Sequence, residues 1–284
     1  MANNSVALKQ SSSLRQTLFL IVFAGAFLGA YYPVLSSLVR AWAASDDYSH
    51  GFAIIPLALY FVWQKRPALL EQEFRGAWPG LLLAVLSLLC YVVAKKGEMQ
   101  TAASVSMIFF IWGSVIYLLG YRVFRICLFP LLILFFMVPV PAQIIAALTI
   151  PLQVIVTKAS VALASVIGIP IYREGNVINL PGGVFEVVQA CSGLRSIMAL
   201  LTLGAAVSYF TLRSNLLRLV LFFLAIPIAL AVNIMRVFVL VSVFHFNKID
   251  LSHGTPHTML GLGVFVAALG LFVLSGKGLS LCER

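Results

Sequence analysis

Apolar stretches near the length of a bilayer crossing recur along the chain, separated by short polar breaks. A hydrocarbon core is crossed by about 20 apolar residues of helix. On that pattern residues 17–38, 52–63, 77–94, 101–120, 126–138, 194–212, 216–234 and 257–274 read as eight spans. Gln64-Lys65-Arg66, Lys95-Lys96-Gly97-Glu98 and Tyr121 to Arg125 close three of them, and Val138-Pro139-Val140-Pro141 stops the fifth. Residues 142–171 are apolar but carry Pro151, Gln153, Lys158 and Pro170, which leaves one span, a re-entrant pair or helices lying in the interface. Residues 237–246 are apolar but too short to cross alone. The longest interruption lies between Tyr172 and Met198. There the β-prone runs 177–180 and 184–190 flank the turn signal Pro181-Gly182-Gly183, which predicts a hairpin.

Composition places this pattern in one class. The 284 residues are 62% hydrophobic and 10% charged, whereas soluble domains are nearer half apolar and a quarter charged. No soluble domain remains once the spans are removed. The expected fold is therefore an all-α polytopic integral membrane protein forming a single unit over residues 1–284. It has about eight transmembrane helices, further interfacial helices and a short β-hairpin on the outer face. Ala41, Ala43 and Ala44 resemble a signal-peptide cleavage region, but the first apolar run is longer than a typical signal core and is read as a retained span.

The net charge of +10 does not point to nucleic acid, because the Lys and Arg residues are scattered through short loops. With the N-terminus cytoplasmic, 11 of the 19 basic residues fall inside, among them Lys65, Arg66, Arg122, Arg125, Arg213 and Arg218. The excess favours both termini inside. That threading requires residues 142–171 to cross an even number of times, most simply not at all. Four cysteines, Cys90, Cys127, Cys191 and Cys282, show neither disulfide nor metal spacing, so no metal and no cofactor is expected.

The predicted topology brings three groups to the outer boundary. Cys191 begins one span, Arg236 ends another and His257 begins the last. A thiol at a helix start meets the positive end of the dipole and uncapped N–H groups, which stabilise thiolate. Thiolate, guanidinium and imidazole together suit acyl transfer: attack on an amide carbonyl, stabilisation of the oxyanion, protonation of the leaving amine. Each has a duller reading. Cys191 as a small buried hydrophobe, Arg236 as an interfacial anchor and His257 as a helix cap all fit the same positions. His253 competes with His257, His50 could be a loop residue or part of a docking rim, and His245 reads as structural. Two other classes stay open: a transporter or lipid-handling protein with Arg236 and His257 in a polar path, and a non-catalytic envelope scaffold.

Several runs together resemble one family. They are Val138-Pro139-Val140-Pro141, Pro151-Leu152-Gln153, Gly168-Ile169-Pro170, Arg173-Glu174-Gly175-Asn176 and Gln189-Ala190-Cys191-Ser192-Gly193-Leu194-Arg195. Ser49-His50-Gly51, Asn233-Ile234-Met235-Arg236 and His257-Thr258-Met259-Leu260-Gly261 complete the set, which spans residues 46–265. The chain resembles the exosortases of the exosortase/archaeosortase family. The resemblance implies a cysteine transpeptidase of the bacterial cytoplasmic (inner) membrane, with its active site on the periplasmic side. Such a protein would cleave PEP-CTERM sorting signals through a thioester and transfer the product to an acceptor. Its partners would be membrane lipid and secreted proteins with a C-terminal Pro-Glu-Pro motif, a membrane helix and a basic tail. The acceptor stays open among water, a lipid amine and a glycan precursor. By motif, Cys191 would be the nucleophile, Arg236 the stabilising cation and His257 the acid/base, its choice over His253 resting on the spacing to Gly261. Ser49, His50, Glu186, Ser192, Gly193, Arg195, Asn233 and His253 are the candidates for contacting substrate or supporting those three. The additional C-terminal soluble domain of some exosortases is not expected here.

Overall fold

In a bilayer the backbone must satisfy its own N–H and C=O groups, and an apolar chain does this as helix. The computed structural model describes residues 2–45, 47–181, 183–187, 194–249 and 254–283. It is a polytopic helical protein with one small sheet among the described residues. Among the described residues seven helices are long and apolar enough to cross a membrane, and two shorter apolar segments, Gly51–Gln64 and Leu128–Met137, accompany them. The chain forms two units, Met1–Pro139 and Val140–Arg284.

The first unit holds α1 (Ala2–Ala44), α2 (Gly51–Gln64), α3 (Arg66–Leu70), α4 (Trp78–Lys96), α5 (Gln100–Leu119), α6 (Tyr121–Ile126) and α7 (Leu128–Ile133). Helices α4 and α5 meet backbone to backbone: a Cβ on Gly113 would lie 2.6 Å from Ala84 N, and one on Gly80 2.6 Å from Gly113 O. Small residues permit that approach where no hydrophobic driving force separates helix from lipid. The expected span over 126–138 is broken. Cys127 separates α6 from α7, and a 3-10 turn, Leu134–Met137, follows. Side chains catch the carbonyls that this break leaves outside regular helix. Trp42 Nε1 donates to Met137 O at 2.8 Å, Thr101 Oγ1 to Pro139 O at 2.9 Å and His50 Nε2 to Phe136 O at 3.1 Å.

The second unit holds α8 (Ala142–Val166), β1 (Tyr172–Glu174), β2 (Val177–Leu180), β3 (Gly183–Glu186), α9 (Leu194–Thr211), α10 (Asn215–Asn247) and α11 (Gly254–Leu281). Helices α9, α10 and α11 share a core of Leu200, Leu221, Ala225, Ala229 and Phe272. At one end of this bundle the Glu283 carboxylate accepts from the backbone N–H groups of Arg213 (2.8 Å) and Ser214 (2.6 Å), where α10 begins. At the other end the sheet packs on α8 and α10, burying Ile178, Leu180 and Val187 against Val156, Ala164, Val237 and Val241.

Three expectations change in detail. Residues 142–166 form one 25-residue helix of crossing length, with Pro151 inside it, rather than a segment that stays at the interface. Proline is tolerated in apolar helices where neighbouring groups satisfy the freed backbone. The 216–234 and 237–246 stretches are one 33-residue helix, so Arg236 does not end a span but lies inside α10, eleven residues before its close. At 1.5 Å per residue that helix is about 50 Å long, more than a hydrocarbon core of about 30 Å can cover along its normal. The hairpin gains a third strand, because Tyr172–Glu174 pairs with β2 around a turn at Gly175 (φ +61°).

Candidate active site

Helix geometry sets the site before any side chain is considered. Residues three or four apart share a helix face, so Asn233 and Arg236 lie together on α10, and His257 and Gly261 together on α11. The two helices pack so that these faces meet. Arg236 Nη2 lies 2.8 Å from His257 Nε2, and both side chains are half-buried. A guanidinium only donates, so Nε2 is the acceptor in this contact. Gly261 forms the notch that admits this arrangement. A Cβ there would stand 3.2 Å from Arg236 Nη2 and 3.5 Å from its Cζ. Arg236 Nε is shielded from solvent and has no hydrogen-bond partner among the described residues. A fixed charge within a membrane helix is costly and marks function more often than structure. Here His257 on α11 meets the guanidinium, and Nε remains a second, shielded donor.

The remaining expected residues fall into three groups. Cys191, Ser192, Gly193 and His253 lie outside the described residues. In the second unit Glu186 closes β3, Arg195 is exposed on the first turn of α9, and Asn233 is buried, 2% exposed, one turn before Arg236. In the first unit Ser49 is exposed and His50 half-buried at the N-cap of α2, its ring engaged by Phe136 O. Burial pushes the His50 imidazole below its usual range, opposed by its bond to Phe136 O and by Asp47. Spacing alone does not reveal the steric role of Gly261; its distance of one helical turn from His257 is the only signal the sequence offers for it.

What the fold and this pairing define is a polytopic membrane protein with a guanidinium and an imidazole joined on facing helices beneath a small sheet. A profile of the family described as Transmembrane exosortase (Exosortase_EpsH) matches residues 42–274. The chain belongs to the exosortase family, a family of transpeptidases and proteases. No curated protein and no solved structure matches it.

Proposed function

We propose that this exosortase is a membrane-embedded cysteine transpeptidase of the bacterial inner membrane. It cleaves C-terminal PEP-CTERM-type signals of secreted proteins at the outer face and passes the product to an acceptor. The observation that carries this reading is the 2.8 Å contact between Arg236 and His257 in a chain of this family. Orientation follows from charge. In the second unit the end bearing Arg213, Arg218 and Lys277 faces the cytoplasm, and the sheet end faces outward. With Ala142–Val166 crossing in place of the broken segment 126–138, and the short apolar helix Gly51–Gln64 counted as a crossing, both termini are cytoplasmic.

With Arg236 donating to Nε2, the His257 ring sets the order of events. Its Nε2 lone pair is occupied by Arg236, so it takes a proton only when the guanidinium lets go. As substrate arrives, the Cys191 thiol gives its proton to Nε2 and the thiolate attacks the scissile carbonyl. The freed Arg236 N–H turns to the oxyanion, where donors act most strongly in a water-poor site. The imidazolium then protonates the leaving amine, and the C–N bond breaks to leave a thioester. An acceptor, water or an amine, gives a proton to Nε2 and attacks the thioester. Collapse releases the Cys191 sulfur, which takes that proton back. A substrate held in the membrane plane has its scissile bond concentrated at a fixed height.

Co-expression with a protein carrying a Pro-Glu-Pro motif, an apolar helix and a basic tail tests the proposal. Processing is expected with the wild type and is abolished in Cys191→Ala and Cys191→Ser while the protein remains in the membrane. Equal processing by all three removes the thiol mechanism. A transporter or a scaffold tolerates Cys191→Ala.

A further inference from the structure

The three-stranded sheet has a chemistry that the thiol, guanidinium and imidazole do not use. In an antiparallel ladder the N–H and C=O of alternate residues point to one neighbour and those between point the other way. Val187 N donates to Asn176 O at 2.9 Å, and Asn176 Nδ2 returns a bond to Val187 O at 3.3 Å. This pair fixes the phase. With Ile178 opposite Phe185 and Leu180 opposite Gly183, residues 183, 185 and 187 direct their main chain at β2. Val184 and Glu186 direct theirs outward. The sheet order is β1-β2-β3, so that outward edge pairs with no described strand.

Exposed edges are usually blunted by lysine, proline or a covering element. Gly183-Val184-Phe185-Glu186 carries no lysine or proline, and Val184 is 67% exposed. The opposite edge is managed differently: Arg173 of β1 folds onto Gly175 O at 2.7 Å, and Ile171, just before β1, packs into the core with α8. Strand β3 is also rigidly held. Phe185 meets Phe244 edge to face, centroids 4.7 Å apart, and Gly183 lies so close to Phe244 that a Cβ would stand 2.5 Å from the ring. Phe244 is eight residues beyond Arg236 on α10, a rise of about 12 Å. The edge therefore sits at a set height over the guanidinium, and its chain runs on to Cys191 five residues later.

We infer that the outer edge of β3 is the substrate-docking strand. An extended segment of the secreted polypeptide pairs its main chain with Val184 and Glu186 and delivers the amide beside it to Cys191. The inference rests on the transpeptidase reading and names how that site holds its substrate. Because backbone groups carry the recognition, the segment must be extended and unstructured, with few side-chain requirements.

Proline at position 184 isolates the claim, since it deletes an outward N–H and leaves the inward ladder intact. Full-length Val184→Pro and Tyr172→Thr, the latter on the opposite edge strand, are compared with wild type in membranes, with the same signalled substrate as probe. Val184→Pro is expected to raise KM about tenfold, the order of one lost hydrogen bond, with kcat and Tm unchanged. Tyr172→Thr behaves as wild type. Wild-type kinetics in Val184→Pro overturn the inference. A photo-crosslinking side chain at 184 in the Cys191→Ala background reads docking without catalysis. A crosslink to substrate supports the inference; a crosslink to a second copy of this chain, or none to substrate, overturns it. Processing that survives Cys191→Ala defeats the thiol mechanism instead, and the crosslink still decides the docking strand.

Discussion

The polar cluster at the broken segment of the first unit and the polar pair of the second work in opposite ways. In the first, Trp42, His50 and Thr101 all donate to main-chain carbonyls of the broken segment between Phe136 and Pro139. Each side chain satisfies an acceptor that irregular backbone would otherwise leave bare, so the polarity goes into holding a shape. In the second, Arg236 and His257 bond to each other, and Arg236 retains a shielded N–H with no partner among the described residues. Two side chains meeting across helices hold no backbone in place. Polar groups that serve the main chain tolerate replacement by any donor of similar reach. Polar groups that serve each other do not, because their mutual geometry is their purpose.

The largest test of that contrast is steric. Gly261→Ala puts a methyl 3.2 Å from Nη2, so the guanidinium must give by a few tenths of an ångström at its 2.8 Å contact with His257. On the transpeptidase reading, kcat falls about tenfold, less than the loss of a charge-stabilising donor costs, with KM little changed. Gly263 has open space around its Cβ position, so Gly263→Ala retains wild-type rates and serves as the control.

A smaller effect probes the first unit through pH. Burial lowers the His50 pKa, so the unfolded chain binds its proton more readily than the folded one. His50 therefore costs no stability above its unfolded value of about 6.5, and the penalty grows as pH falls below it toward the folded value. Tm should decline from pH 7.5 to 5.5, and His50→Gln should flatten that decline. An unchanged slope in His50→Gln removes the role given to this ring.

The smallest effect lies at the exposed clasp of Glu283. Its bonds to the N–H groups of Arg213 and Ser214 lower its pKa, so the clasp is present above the ordinary carboxylate range and lost as pH falls through the folded value. Glu283→Gln should speed hydrogen exchange at the Ser214 amide near neutral pH while leaving Tm nearly unchanged.

These contrasts were unevenly visible in the chain itself. The spans were legible because hydropathy over about 20 residues is a strong signal. Helix α10 was not legible as one piece: Asn233 and Arg236 lower the local hydropathy, and only packing shows that Asn233 is buried and Arg236 bonded to His257. Pro151, Gln153 and Lys158 obscured α8 in the same way, although Thr157 simply bonds back to Gln153 O within it. Strand β1 is three residues long with two charges, and only its pairing with β2 makes it a strand. His50 and Phe136 are 86 residues apart, a separation at which no local pattern reports contact. The pairing of His257 with Gly261 was available as a four-residue interval, though not the reason for it.

One consequence of the uninterrupted α10 concerns the lipid around it. A single rod carries both Arg236 and, two turns further on, the aromatic seat of β3. Swelling or thinning of the surrounding bilayer moves both by the same amount, so the gap between β3 and the guanidinium keeps its length. On the transpeptidase reading, the spacing between the docking strand and the Arg236–His257 pair is thus a property of the protein alone, insulated from changes in lipid composition.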